Sequence, residues 1–493
     1  MGKYLALDYG AESGRLVSVE FGEKISTIEI SRFATPVTKD KYGRRCWDFP
    51  QMLSDIKNAL KAVPNKSDFK SIAVDTWGLD FAFIDENNKL IDLPVSYRDH
   101  RTDGMLAKAA EKVGLDRLHN ETGSQLLEVN SIYQLFAIAQ NNPREFELAK
   151  AIIYMPDLIL LALTDVAGTE YTIATTSGIY DAINNKWATK LADDLGIPTR
   201  LFQPVQIPGT TRGKLSKSWQ SETGFADLTC IATCSHDTAS AVVATPFTKP
   251  GSGFISSGTW SLLGVELDRF FTNETTLKER LTNEGGYGKT NRLIRNVMGL
   301  WLIQEVRRDF ESKGEKYSYA QLVELAQSVK DPWRTLIHVD ASIFIHAENM
   351  IERIQRFARE TNQPIPTTPG EIAATVFSSL ALQYAKTFDV LEKCAQIPMQ
   401  EIHIVGGGSQ NQYLSQLTAD VCNRTVITGP VEATAIGNAV VQAISAGEIK
   451  DMQSARKVVM ESGLVTGKLI PQKRAEISAI RARYSEIAKI EMR

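Results

Sequence analysis

Residues 4–15 read YLALDYGAESGR and run directly into the alternating stretch LVSVE at residues 16–20. An apolar run ends at Asp8, a turn holds Gly10, Ser13 and Gly14, and a second strand follows. Glycines allow such a turn to approach a phosphate closely, and successive backbone N–H groups there form an anion-binding concavity. An aspartate at the strand end suits a divalent metal, held directly or through water. The same pattern recurs later in the chain. Residues 253–257 (GFISS) form a strand, Gly258 and Thr259 a turn, and residues 260–265 (WSLLGV) a second strand; residues 401–405 (EIHIV) then enter Gly406, Gly407 and Gly408. Two similar halves, each with a phosphate-cradling turn, predict two lobes that hold a nucleotide.

The bulk numbers agree with a soluble enzyme. The chain has 493 residues, 43% of them hydrophobic, with 23% charged residues of mixed sign and a net charge of −3. This balance favours neither nucleic acid nor an anionic membrane as partner. The five cysteines, Cys46, Cys230, Cys234, Cys394 and Cys422, are sparse and odd in number, which argues against a disulfide scaffold and for a reducing compartment. No signal peptide is evident, and Pro156 and Asp157 interrupt the most apolar stretch. A cytoplasmic protein is expected.

Along the chain, strands are predicted at residues 4–8, 16–21, 25–33, 71–75 and 81–84. Helices are predicted from Pro50, over most of residues 106–163, from Asn296 to Phe310 and from Glu371 to Leu391. Residues 183–220 look irregular. Pro246, Pro250 and Gly251 mark a boundary near residue 244.

Asp237 is the candidate base. Taking a proton from an alcohol during phosphoryl transfer needs a positioned carboxylate. Asp237 lies at a predicted helix start, where the macrodipole favours its charged form. An aspartate before a helix is most often an N-cap; the flanking His236 and Thr238 shift the reading toward chemistry. Trp77 could offer its ring face to a sugar, but a strand-end tryptophan is more often core; Asn296 reads equally as a hydroxyl donor or a helix cap. Two apparent motifs fail. Residues 283–290 end like a P-loop but begin with Asn283 and follow no apolar strand. Residues 406–411 lack the third glycine of a dinucleotide fingerprint, having Asn411 instead.

The chain resembles the carbohydrate kinases of the glycerol-kinase and xylulokinase type, within the actin-like ATPase superfold. The matching blocks are LDYGAESGR (7–15), DTWGLDF (75–81), LPVSYRD (93–99), SHDTASAV (235–242), SSGTWSL (256–262), TNEGG (282–286), NVMGLWL (296–302), IVGGG (404–408) and GPVEA (429–433). DTWG and SGTWSL are specific to the branch that acts on L-rhamnulose. The resemblance implies an α/β fold of two actin-like (ribonuclease H-like) domains, each with a mixed five-stranded sheet and with ATP in the interdomain cleft. It implies residues 1–244 as the sugar-binding domain, 245–493 as the nucleotide-binding domain, and closure about residues 244–252. The implied reaction moves the γ-phosphoryl group of ATP to the carbon-1 hydroxyl of L-rhamnulose, with Mg2+. Carried over by motif, Asp237 is the proton acceptor; Gly78, His236, Asp237, Thr238 and Asn296 contact the sugar. Ala11, Glu12, Ser13, Gly14, Arg15, Thr259, Gln304 and Gly408 contact ATP, and Asp8 organises the metal. Glu12 departs from the branch, which more often has a small polar residue there. Its carboxylate must point away from the phosphates or help to hold the metal. The partners expected are a small sugar and ATP, with neither nucleic acid nor membrane, in a monomer or homodimer. The open alternatives are a kinase for L-fuculose, xylulose, a signalling furanone or another polyol, an actin-like ATPase without a sugar, and a nicotinamide oxidoreductase built on residues 406–411.

Overall fold

The computed structural model describes residues 2–345, 348–472 and 475–492. The fold is α/β and divides into two compact units. The first comprises Met1–Pro246, Glu266–Leu293 and Glu432–Gly463; the second comprises Phe247–Val265, Ile294–Val431 and Leu464–Arg493.

The first unit is built on a six-stranded sheet, in the order Thr210–Lys214, Thr229–Ala232, Phe69–Thr76, Lys3–Tyr9, Ser13–Phe21, Ile25–Ala34. Lys3–Tyr9, Phe69–Thr76 and Thr229–Ala232 run parallel, and the hairpin strands and the Thr210–Lys214 edge run antiparallel. Lys3–Tyr9 is central and covered on both faces, which explains its unbroken apolar run. Ile25–Ala34 lies at the edge and is exposed or half-buried over most of its length. One face packs Leu5, Leu7, Ile72 and Val74 with Met52, Ile56 and Leu60 of helix Phe49–Ala62, whose N-terminus is capped by Asp48. Helix Ala433–Ser445 also packs on the sheet and is pinned by polar groups. Within it, Asn438 donates to Asp75 Oδ2 (2.6 Å) and Gln442 to the Leu5 carbonyl (3.0 Å). It also meets helix Asp237–Val243 backbone to backbone, because a Cβ on Gly437 would lie 1.8 Å from the Ser240 carbonyl oxygen.

The second sheet has seven strands in all. The six that lie wholly or mostly in the second unit run in the order Asn291–Met298, Trp260–Leu267, Gly253–Ser257, Glu401–Val405, Thr425–Thr428, Gly467–Leu469. Gly253–Ser257, Glu401–Val405 and Thr425–Thr428 are parallel to one another. Helix Pro369–Ala395 is buried along most of its length, and Thr368 and Glu371 form its capping box.

Both sheets exceed the five strands expected, because antiparallel edge strands such as Thr210–Lys214 and Gly467–Leu469 extend them. One local expectation is refined and one corrected. The region 106–163 is mainly helical, as expected, but Ala151–Tyr154 within it is a strand paired with Phe81–Ile84. One apolar run covers this strand and the next helix, and β-branched Ile152 and Ile153 favour the extended half. Asn296 does not begin a helix. It lies in strand Asn291–Met298, and the helix is Trp301–Ser312. The spacing of Val297, Trp301 and Leu302 imitates a helical period across the strand–helix junction, and Trp301 is only half-buried. Among the described residues, no helix is long and apolar enough to cross a membrane.

Candidate active site

In the first unit, the carboxyl ends of the three parallel strands bring the chemistry together. Asp8 and Asp75 sit opposite each other in register, and Thr76 bridges to His236 across the next parallel pair. The Thr76 N–H donates to the Ser235 carbonyl at 2.9 Å, which places residues 235–238 beside the two aspartates. This edge is where open α/β sheets bind ligands.

Asp237 is the first residue of helix Asp237–Val243 and His236 occupies the N-cap position, so the plain N-cap reading of Asp237 does not apply. Its side chain is 33% exposed, whereas the His236 ring beside it is buried. Asp237 Oδ1 accepts from the Thr238 N–H and from Thr238 Oγ1 at 3.1 Å, and lies 3.4 Å from His236 Nε2. Burial raises the Asp237 pKa and the negative charge of Asp8 adds to that, against the opposing pull of His236 and Thr238. The result is a stronger base than an ordinary aspartate.

His236 is held from behind by residues the sequence reading missed. Its Nδ1 lies 3.1 Å from Glu284 Oε2 and 3.2 Å from Arg292 Nη2, and Arg292 Nη2 is 3.2 Å from the same Glu284 oxygen. Burial alone favours a neutral Glu284, but His236 and then Arg292 overcome it and hold the carboxyl below its usual range. Glu284 lies within TNEGG, in strand Thr282–Gly285.

Gly78 is buried in the loop that follows strand Phe69–Thr76. Trp77 proves to be a core residue: its ring centroid lies 4.5 Å from that of Trp47, and its Nε1–H donates to Asp80 at 3.0 Å. Asp80 is fully enclosed, and it also accepts from Trp47 Nε1 (2.7 Å), the Tyr97 N–H (3.1 Å) and Gln134 Nε2 (3.2 Å).

The turn over residues 10–15 forms as expected, closed by the Gly10 N–H donating to the Ser13 carbonyl at 3.0 Å. Thr35 braces it, donating its N–H to the Glu12 carbonyl (3.1 Å) and its hydroxyl to the Gly10 carbonyl (2.6 Å). The Glu12 carboxylate is exposed and paired with Arg98 at 2.6 Å, so its charge is offset where it stands. Arg15 grips Asp8 Oδ2 through Nε (3.0 Å) and Nη2 (2.8 Å) and reaches Glu432 with Nη1. Burial works against the Arg15 charge, but Asp8 and Glu432 more than offset it and raise its pKa.

In the second unit, the carbonyls of Gly258 and Thr259 accept from the Leu300 N–H (3.0 Å) and the Trp301 N–H (3.1 Å). This seats the turn on the start of helix Trp301–Ser312, whose first turn carries Gln304. Gly408 lies in the turn after strand Glu401–Val405, and a Cβ there would stand 2.0 Å from Ser257 Oγ. The fold thus brings Thr259, Gln304 and Gly408 to one strand end. Asn296 lies apart from them along its strand, half-buried.

The residues present suit the two groups that the resemblance implies, a nucleotide and Mg2+. Gly408 packs its backbone against Ser257 and leaves the turn at that strand end free of a side chain. Asp8 and Asp75 offer hard oxygen donors, the type Mg2+ takes. Asp75 Oδ1 is buried and accepts no hydrogen bond among the described residues, while burial and then the Asp8 charge raise the Asp75 pKa. An added cation would relieve that. Among the described residues no three side chains converge to hold a metal on protein ligands alone. Water and phosphate oxygens commonly complete the shell of Mg2+.

Comparison with known proteins matches residues 3–244 to the model "FGGY family of carbohydrate kinases, N-terminal domain" and residues 253–446 to the corresponding C-terminal domain. Rhamnulokinase of Halalkalibacterium halodurans is 41% identical over 459 residues, covering 93% of this chain and 97% of that protein. Rhamnulokinase of Oceanobacillus iheyensis is 39% identical over 461 residues, covering 93% of this chain and 96% of that protein. Among solved structures, glycerol kinase of Plasmodium falciparum with ADP superposes with a TM-score of 0.79 at 15% identity, covering 100% of this chain and 99% of that one. At that identity the superposition speaks for the fold alone.

Proposed function

Since the chain belongs to the FGGY family of carbohydrate kinases, we propose that it transfers the γ-phosphoryl group of ATP to the carbon-1 hydroxyl of L-rhamnulose. The products are L-rhamnulose 1-phosphate and ADP, formed in the cytoplasm during L-rhamnose breakdown. The observation that carries the chemistry is the Asp237 carboxylate. It is partly exposed at the strand ends, made more basic by burial, and flanked by a histidine whose own position is fixed. The shared name of the curated relatives supports the choice of sugar.

In this reading the sugar lies against Gly78, residues 236–238 and Asn296, with its reacting hydroxyl beside Asp237. Asp237 takes the hydroxyl proton as the oxygen–phosphorus bond forms and the bond to the ADP leaving oxygen breaks. His236 and Thr238 orient the carboxylate and hydrogen-bond the sugar. Residues 11–15 receive phosphate oxygens, and Thr259, Gln304 and Gly408 receive the rest of the nucleotide. Mg2+, when bound, neutralises phosphate charge; Asp8 and Asp75 are the residues suited to hold it, directly or through water. Arg15 limits the repulsion between the Asp8 carboxylate and the phosphates.

A panel of ketoses and polyols, read by coupled ADP release, tests the substrate. L-Rhamnulose is expected to give the highest kcat/KM among L-rhamnulose, L-fuculose, xylulose and glycerol. A higher value for any other member reassigns the acceptor.

A further inference from the structure

Residues 170–177 (EYTIATTS) form a short turn of chain in which every side chain is buried. Three threonine hydroxyls in it share one pattern. Thr172 Oγ1 donates to Glu170 Oε2 (2.6 Å) and accepts from the His236 N–H (3.1 Å). Thr175 Oγ1 donates to the Thr172 carbonyl (2.9 Å) and accepts from the Gly285 N–H (2.8 Å). Thr176 Oγ1 donates to the Ile173 carbonyl (2.8 Å) and accepts from the Leu79 N–H (3.2 Å). A hydroxyl has a single proton. Each of these protons is committed inside the turn, so each oxygen presents a lone pair to one outside segment.

The three segments build the acceptor site and its support: the loop with Gly78 next to Leu79, the helix start with Asp237 next to His236, and the end of strand Thr282–Gly285, where Glu284 next to Gly285 holds His236. Glu170 adds a fourth tie by accepting the Ser235 N–H at 3.1 Å. The segments also press onto the turn. A Cβ on Gly78 would come within 3.0 Å of Thr176 Oγ1, and one on Gly285 within 2.3 Å of the Tyr171 ring. Leu79 has φ of 79°, a left-handed conformation that a leucine holds only when its surroundings impose it.

We propose that residues 170–177 are the positioning element of the sugar site: Thr176 and Thr172 set the backbones that carry Gly78 and residues 236–238, and Thr175 sets the strand end whose Glu284 holds His236 from behind. This rests on the assignment of Gly78 and residues 236–238 to the sugar. The threonines touch no substrate; they act through these segments.

The test compares valine with serine at the same position, since valine keeps the shape and loses the acceptor whereas serine keeps it. Thr176→Val is expected to raise KM for L-rhamnulose about 10-fold, as the loss of one buried hydrogen bond implies, with KM for ATP within about twofold of wild type. Thr176→Ser is expected to restore the sugar KM. A folded Thr176→Val enzyme with an unchanged sugar KM overturns the proposal, as does an equal rise in both KM values. If Thr176→Val does not fold, Thr172→Val against Thr172→Ser makes the same comparison at His236, with the same outcomes. Asp237→Asn in the same assay separates the two levels. If it turns over at the wild-type rate, the site assignment fails. If it is impaired while the valine variants bind sugar normally, only the positioning role fails.

Discussion

Asp237→Asn is expected to lower kcat by roughly 10²- to 10⁴-fold, the range typical for loss of a general base. The carboxamide keeps the size and an oxygen for the Thr238 contacts, so the helix start stays in place. Sugar affinity measured by calorimetry should stay within about twofold of wild type, because the lost interaction belongs to the transition state. The pH profile follows from the same group. Burial and the Asp8 charge raise the Asp237 pKa, so the active ionised form is lost on acidification at a higher pH than the ordinary aspartate value of about 3.9. The acid limb of kcat/KM in the wild type should therefore lie above that value. A folded Asp237→Asn enzyme with near wild-type kcat contradicts the assignment.

Asp80→Ala is expected to destabilise the protein by about 3–5 kcal/mol. Asp80 is 1% exposed and receives four N–H groups, from Trp47, Trp77, Tyr97 and Gln134. Removing the carboxylate leaves those donors buried without a partner, and each such loss costs about 1–3 kcal/mol before relaxation. Burial raises the Asp80 pKa while the donors from Trp77, Trp47 and Tyr97 hold it down. Asp80→Asn keeps one acceptor oxygen and should lose less. Urea unfolding followed by tryptophan fluorescence reads the effect, since Trp47 and Trp77 both bond to this side chain. An unchanged midpoint for Asp80→Ala contradicts the account. The surviving folded fraction should also show a raised sugar KM, because Gly78 lies in the same loop.

Much of this was legible in the sequence because it depends on local signals. The apolar run to Asp8, the glycine turn and the return strand can be read from periodicity and turn chemistry, and the same holds for residues 253–265. Helix Pro369–Ala395 announces itself with Pro369 and a long 3.6-residue period. Asp237 stands out through its neighbours, and the fold places it near Asp8 as a stronger base, raised chiefly by burial.

What the sequence concealed depends on distant pairs. Asp75 matters because it lies in register with Asp8, and register cannot be read along one strand. Glu284 and Arg292 become visible only when their strands reach His236, more than forty residues away in the chain. Along the sequence Glu12 reads as repulsive toward the phosphates, whereas in the fold Arg98 stands opposite it and offsets its charge. Asn296 reads as a helix start because the strand–helix junction imitates a helical period. Residues 170–177 gave no motif at all, since threonine and serine commonly occupy surface turns. Only burial distinguishes these, by requiring each hydroxyl to have partners.

The most direct test of the central claim is phosphorus NMR of the product formed from ATP and L-rhamnulose. The account predicts one sugar phosphate per ADP, with the phosphorus coupled to the methylene protons of carbon 1. ADP accompanied by inorganic phosphate, at a rate indifferent to the sugar, contradicts it.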